Sequence, residues 1–279
     1  MSLSGTDSIG QELLQAVAAD EMILPTLPEI ALQVRDAAED PQISIPELAR
    51  VISRDIAIPA RLVRVANSPL LRTGHEVRDL QAAISRLGLN MSCSLTIGLA
   101  MEQLFQAGSG LIDRRMREVW NHSTRIAAIS HVLCRCHTRL PPDQALLAGL
   151  LHQIGMLPLL TWADENPALQ ADSLVLEQLL QALHPGLGQK ILEHWRFPAC
   201  LACVPAGYLN LQRQSTAVDY TDIVQAATLY GGLSDSPDRL PEWSTVPALQ
   251  QLGIMAGSLH RNDARFAAIL EEADQLLLV

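Results

Sequence analysis

Lysine is nearly absent from this chain: of its 20 basic residues only Lys190 is a lysine, and 30 acidic residues set the formal net charge at −10. Such a chain raises no broad positive field, which disfavours a general nucleic-acid coat or an anionic-membrane binder and leaves room for a local basic patch alone. Aromatic residues are scarce at 4%, and nowhere do apolar and polar residues alternate cleanly between hairpin signals, so a strand-built fold is excluded. Charged residues, at 18%, fall below the usual share of about a quarter, whereas hydrophobic residues reach 48%. The chain is therefore not disordered, and at 279 residues it is long enough to bury a large core in one or two domains. Met1 to Gln15 has neither a basic n-region nor an apolar h-region, so no signal peptide is expected and a cytoplasmic location is. The five cysteines (Cys93, Cys134, Cys136, Cys200, Cys203) are accordingly expected to be reduced, small apolar fillers. The longest apolar stretch, Ala145 to Trp162, carries His152, Gln153 and Pro158, which are costly in a bilayer, and reads as buried helix.

What is present is helix. Leucine and alanine dominate nearly every segment, and the fold class expected is all-α. Ser44-Ile45-Pro46-Glu47 has the form of a capping box with proline in the first turn, so a helix should start there. From Ile126 the positions Ile126, Ile129, Leu133 and Cys136 step by three and four, a stripe that faces a core and carries His122, one turn earlier, inward. Leu187, Ile191 and Trp195 mark a second inward face, which Phe197-Pro198 ends. Gly108-Ser109-Gly110 is the best internal break, dividing an amino-terminal helical subdomain, 1–107, from a carboxy-terminal one, 108–279. Ala264 to Val279 is expected to be a helix packing back on the body.

Four motifs stand in order between residues 24 and 105: Leu24-Pro25-x-Leu27-Pro28, a helix around Leu48 ending at Arg54-Asp55, Val65-Ala66-Asn67-Ser68, and Ala82-Ala83-Ile84-x-x-Leu87-Gly88. Together they resemble the HDOD (HD-related output domain) family. The resemblance continues through Val119-Trp120-Asn121-His122-Ser123, Leu147 to Gly155, and His184-Pro185-x-x-Gly188 to Pro198. It implies two helical subdomains, the second like the HD-superfamily core. That superfamily hydrolyses phosphate esters with a divalent metal held by a histidine, an adjacent His-Asp pair and a distant aspartate. Such a set neutralises the dication with two carboxylates and leaves a position for a bound water that ionises near neutral pH.

Here the set is degenerate. His122 and His152 stand where the histidines belong, but Gln153 replaces the adjacent aspartate and Thr228 falls at the distant one. Both negative charges are lost, and neither an amide oxygen nor a hydroxyl restores them. His184 matches a histidine that some superfamily members use for a second metal, so three imidazoles are left as a residual ligand set, with Asp219 or Asp222 as a substitute carboxylate. Met156 replaces a lysine common after the His-Asp motif, and Gly207-Tyr208 occupies the region of the family's paired histidines. No metal, no cofactor and no catalytic residue is expected, and each retained histidine reads equally as hydrogen-bonded core. His131-x-x-Cys134-x-Cys136-His137 and Cys200-x-x-Cys203 look like zinc ligands, but the first runs along a helix that sends its side chains to different faces.

The amino-terminal unit holds a basic cluster, Arg50, Arg54, Arg61, Arg64 and Arg72, against Glu47 and Asp55, a local charge of 5 − 2 = +3 between residues 46 and 72. Two short helices, 46–53 and 57–66, could place these arginines on phosphates in the manner of a helix-turn-helix, but Arg54-Asp55-Ile56 lacks the usual glycine turn. Asn67, Ser68, Arg61 and Arg64 are the candidate ligand or partner contacts. The resemblance implies a non-catalytic signal-transduction module of bacterial type, acting through a regulatory protein partner or a nucleotide-type small ligand. A divergent metal-dependent phosphohydrolase and a nucleic-acid binder using the arginine patch are the alternatives.

Overall fold

The computed structural model describes residues 21–68, 75–235 and 243–254, with single positions at 15, 17, 19 and 271. Among these there is no strand. The expected helix from Ala264 onward and Arg72 lie outside the described residues. Among the described residues the first half holds α1 (Glu29–Ala38), α2 (Ile45–Ile52), α3 (Ile58–Ala66), α4 (Leu80–Leu87) and α5 (Leu89–Glu102). The box that opens α2 forms as its sequence predicts, the Glu47 carboxylate reaching back 3.0 Å to the Ser44 N–H. Asp55 accepts from the N–H groups of Ala57 and Ile58, both at 2.8 Å, and so starts α3 without a glycine turn. Gly88 joins α4 to α5 with a φ of 82°, a left-handed conformation that a side chain would strain.

The second half is built on α6 (Gly110–His137), 28 residues long, which pairs with α7 (Pro142–Leu151). Ser109 starts α6 at the glycine-flanked break, and the Asp164 carboxylate accepts from the N–H groups of Gly108 and Ser109 at 2.9 and 3.0 Å. The expected helix 145–162 is in fact two, α7 and α8 (Met156–Asp164), because residues 152–155 form a tight turn; the whole stretch is apolar and long enough to cross a membrane, but 83% of its most apolar window is buried inside the protein. α9 (Pro167–Ala171) leads into α10 (Ser173–His194). Two single-turn helices, α11 (Ala199–Ala202) and α12 (Val204–Gly207), then precede α13 (Tyr220–Asp235) and α14 (Pro247–Gln251).

The halves share one continuous core. α5 packs against α1, α3 and α4 on one side and against α7 on the other, and ten of its fourteen residues are buried. A second tie crosses at the Leu24-to-Pro28 motif: the Trp195 indole N–H donates to the Pro25 carbonyl at 2.9 Å, and Arg35 on α1 donates to the Trp195 carbonyl. Leu187, Ile191 and Trp195 are all buried, as their spacing predicts.

Candidate functional site

The turn between α7 and α8 brings His152 to the centre of the second half, wholly buried, with Gly149 letting the backbones of α6 and α7 touch; a Cβ there would lie 2.4 Å from the Ala127 Cα. The Nδ1 of His152 is 2.6 Å from the Gly149 carbonyl and therefore carries the proton, which leaves Nε2 as a lone pair, buried and without a partner. Burial, and next the neighbouring His122, push its pKa down to about 3, so the ring is neutral. The half-buried His122 of α6 sits with its ring centre 5.6 Å away. His184, buried on α10, follows the same pattern, with Nδ1 2.7 Å from the Leu180 carbonyl and burial lowering its pKa.

Between the two buried imidazoles stands Tyr208. Its ring meets His152 edge-on at 4.8 Å, and its hydroxyl lies 2.7 Å from His184 Nε2, to which it donates. Burial raises the phenol's pKa to about 12, so it stays protonated and a donor. The Gln153 amide nitrogen is 3.5 Å from the same hydroxyl. Gln225 of α13 fixes the loop behind the tyrosine, its amide donating to the carbonyls of Gly207 at 3.1 Å and Asn210 at 2.6 Å.

These residues do not fit the superfamily's metal. His152 is in the tautomer of a ligand, but the matching lone pair of His184 is taken by a phenol, and among the described residues no three His, Cys, Asp or Glu side chains are placed to hold an ion. Thr228 gives its hydroxyl to the Val224 carbonyl of its own helix. The substitute carboxylates are a correction to the sequence reading: Asp219 and Asp222 both pair with Arg213 and accept backbone N–H groups at the start of α13, which removes them as ligands. Nor do the cysteine motifs gather. His131 bonds the Pro142 carbonyl, Cys134 is buried and Cys136 is exposed.

Of the candidate contacts, Asn67 closes the segment after α3, its amide exchanging hydrogen bonds with Val77 at 2.8 and 2.9 Å. Ser68 is buried, with its hydroxyl unpartnered. Arg61 is ion-paired with Glu102 of α5, Arg54 donates to Gln33 at 2.8 Å, and Arg50 and Arg64 are exposed. Sequence reasoning missed Tyr208, Gln225 and Glu102 as site residues. The one signal for Tyr208 was its place where the family carries histidines.

The HDOD domain model matches residues 24–205. The chain belongs to the HDOD family. A relative, an uncharacterized protein of Treponema pallidum (strain Nichols), is 23% identical over 189 residues, 63% of this chain and 35% of that protein, so the chain spans about a third of that relative's length. Among solved structures, a protein of Shewanella amazonensis SB2B named as a candidate metal-dependent phosphohydrolase is similar over 99% of both chains, with a TM-score of 0.82 and 28% identity. An HDOD protein of unknown function from Geobacter sulfurreducens covers 100% of both chains at a TM-score of 0.68 and 19% identity, a likeness of fold.

Proposed function

We propose that this HDOD protein is a non-catalytic regulatory module of signal transduction, which works by binding a protein partner or a small ligand and hydrolyses no phosphate ester. The observation that carries the reading is Tyr208, whose hydroxyl occupies the lone pair of His184 and whose ring closes over His152. A phenol held protonated by burial is a poor exchange for a dication, which would have to displace it and, among the described residues, find no group of ligands placed to hold it. A folded pocket region that has lost its charge suits recognition better than turnover. Phosphohydrolysis is the second reading, favoured by the orphaned Nε2 of His152 and by the Shewanella similarity. Nucleic-acid binding has less support, since Arg61 and Arg54 are engaged within the protein.

The test is elemental mass spectrometry on protein purified without chelators or a metal-affinity step, alongside hydrolysis of bis-p-nitrophenyl phosphate. Metal well below one ion per chain and no turnover are expected. One tightly held ion per chain, with turnover abolished in His152→Ala, would overturn the proposal.

A further inference from the structure

Away from the histidines, the seam between the two halves encloses a cavity of about 190 Å³ lined by α3, α5, α6 and α7. Arg61 and Glu102 form one wall, and Trp120, Asn121 and Thr124 of α6 the other, with Val65, Leu95 and Leu150 below. A second cavity of about 380 Å³ continues it, sharing Glu102, Trp120 and Asn121 and lined further by the Arg117–Asp113 ion pair. The polar groups here are under-used. Thr124 has a buried hydroxyl with no partner, and the Asn121 amide makes no hydrogen bond among the described residues.

The Arg61–Glu102 pair is one-pronged: one guanidinium nitrogen meets Oε2, so Oε1 and the other N–H groups stay available side by side. The two side chains are 29% and 35% exposed, reachable but shielded enough for the pair to hold its geometry. An acceptor beside a donor is the complement of a lactam, in which a ring N–H stands beside a C=O. A carboxylate takes that N–H and a guanidinium the carbonyl, both as charge-assisted bonds. The indole of Trp120, itself 5.5 Å from the ring of Phe105, supplies an apolar wall for a flat ring, and the Asn121 carboxamide can accept from an exocyclic amine. A cavity this small takes one ring system, and the adjoining one has room for a sugar.

We propose that the seam cavity formed by Arg61, Glu102, Trp120, Asn121 and Thr124 binds a planar lactam of the guanine type, presented as a nucleoside. The purpose assigned to such a site rests on the regulatory reading above, but its chemistry does not involve the histidines, and the two fail separately. Loss of guanosine binding leaves the metal measurement untouched, and a metal-loaded chain leaves the seam as it is.

The experiment is calorimetric titration of the full chain with guanosine, inosine and adenosine, with far-UV circular dichroism to confirm folding of each variant. Guanosine is expected to bind, inosine somewhat more weakly for want of the amine, and adenosine, which lacks the lactam, at least about tenfold more weakly. Glu102→Ala should weaken guanosine by about tenfold or more and leave adenosine unchanged. Because Glu102 also holds Arg61, the exposed Asn121→Ala serves as the second variant and should erase the preference for guanosine over inosine. No binding of guanosine at about 1 mM, equal binding of adenosine, or a guanosine affinity indifferent to both variants would sink the proposal.

Discussion

A buried, neutral histidine ties this protein's stability to pH. His152 titrates near 3 in the folded chain and near 6.5 unfolded, because burial penalises its charged form. Since the folded pKa is the lower one, the contribution is complete above pH 6.5 and is lost as pH falls, when the unfolded chain takes up a proton that the folded one refuses. At pH 5 the loss amounts to about 2 kcal/mol, and His184, depressed for the same reason, adds in the same direction. Denaturant midpoints at pH 8, 6.5 and 5 should fall in that order, and the His152 ring resonance should stay unshifted between pH 8 and 5. A His152 resonance that titrates near 6.5 would show the ring open to water. Among residues, the sequence told that His152, within the apolar stretch, would be inside, whereas His122, expected to point inward, is only half-buried. Tyr208 it could not place, because a tyrosine 24 residues beyond His184 reaches that ring only through the α11 and α12 turns.

At the scale of elements, the close approach of α6 and α7 decides how the histidines meet. Gly149→Ala would drive a methyl to within 2.4 Å of the Ala127 Cα and 2.7 Å of its nitrogen, and backbone cannot yield as a flexible side chain does. A loss of about 3 kcal/mol is expected in urea unfolding, with the helices prised apart. Gly186, on the exposed side of α10, is the counter-case: nothing lies within 4 Å of its Cβ position, so Gly186→Ala should stabilise by about 0.5–1 kcal/mol by removing backbone freedom from the unfolded chain. Helix starts and faces were legible wherever the chemistry was local, as at Ser44-Glu47 and the Leu187-Ile191-Trp195 stripe. The break of the apolar run into α7 and α8 was not. Apolar residues surround both helices on every side, so no periodicity marked the turn.

For the whole molecule, composition and the want of alternating runs made the all-helical class legible, and the resemblance the family. How the halves join is a matter of contacts between residues far apart in sequence, such as Arg61 with Glu102 and Trp195 with Pro25, which no local pattern announces. Because α5 lies in the core on both its faces, unfolding is expected to be a single event. The aromatic residues make this easy to check. All four tryptophans (Trp120, Trp162, Trp195, Trp243) follow residue 107, so indole fluorescence reports the second half and, through Trp120 and Trp195, its seam with the first, whereas far-UV circular dichroism reports helix throughout. The two signals should change together in urea, and separate midpoints would show halves that melt independently. A helix held in common also ties the two halves together in degradation. A ligand held in the seam beside α5 is therefore expected to lengthen the life of the entire chain by stabilising its folded state.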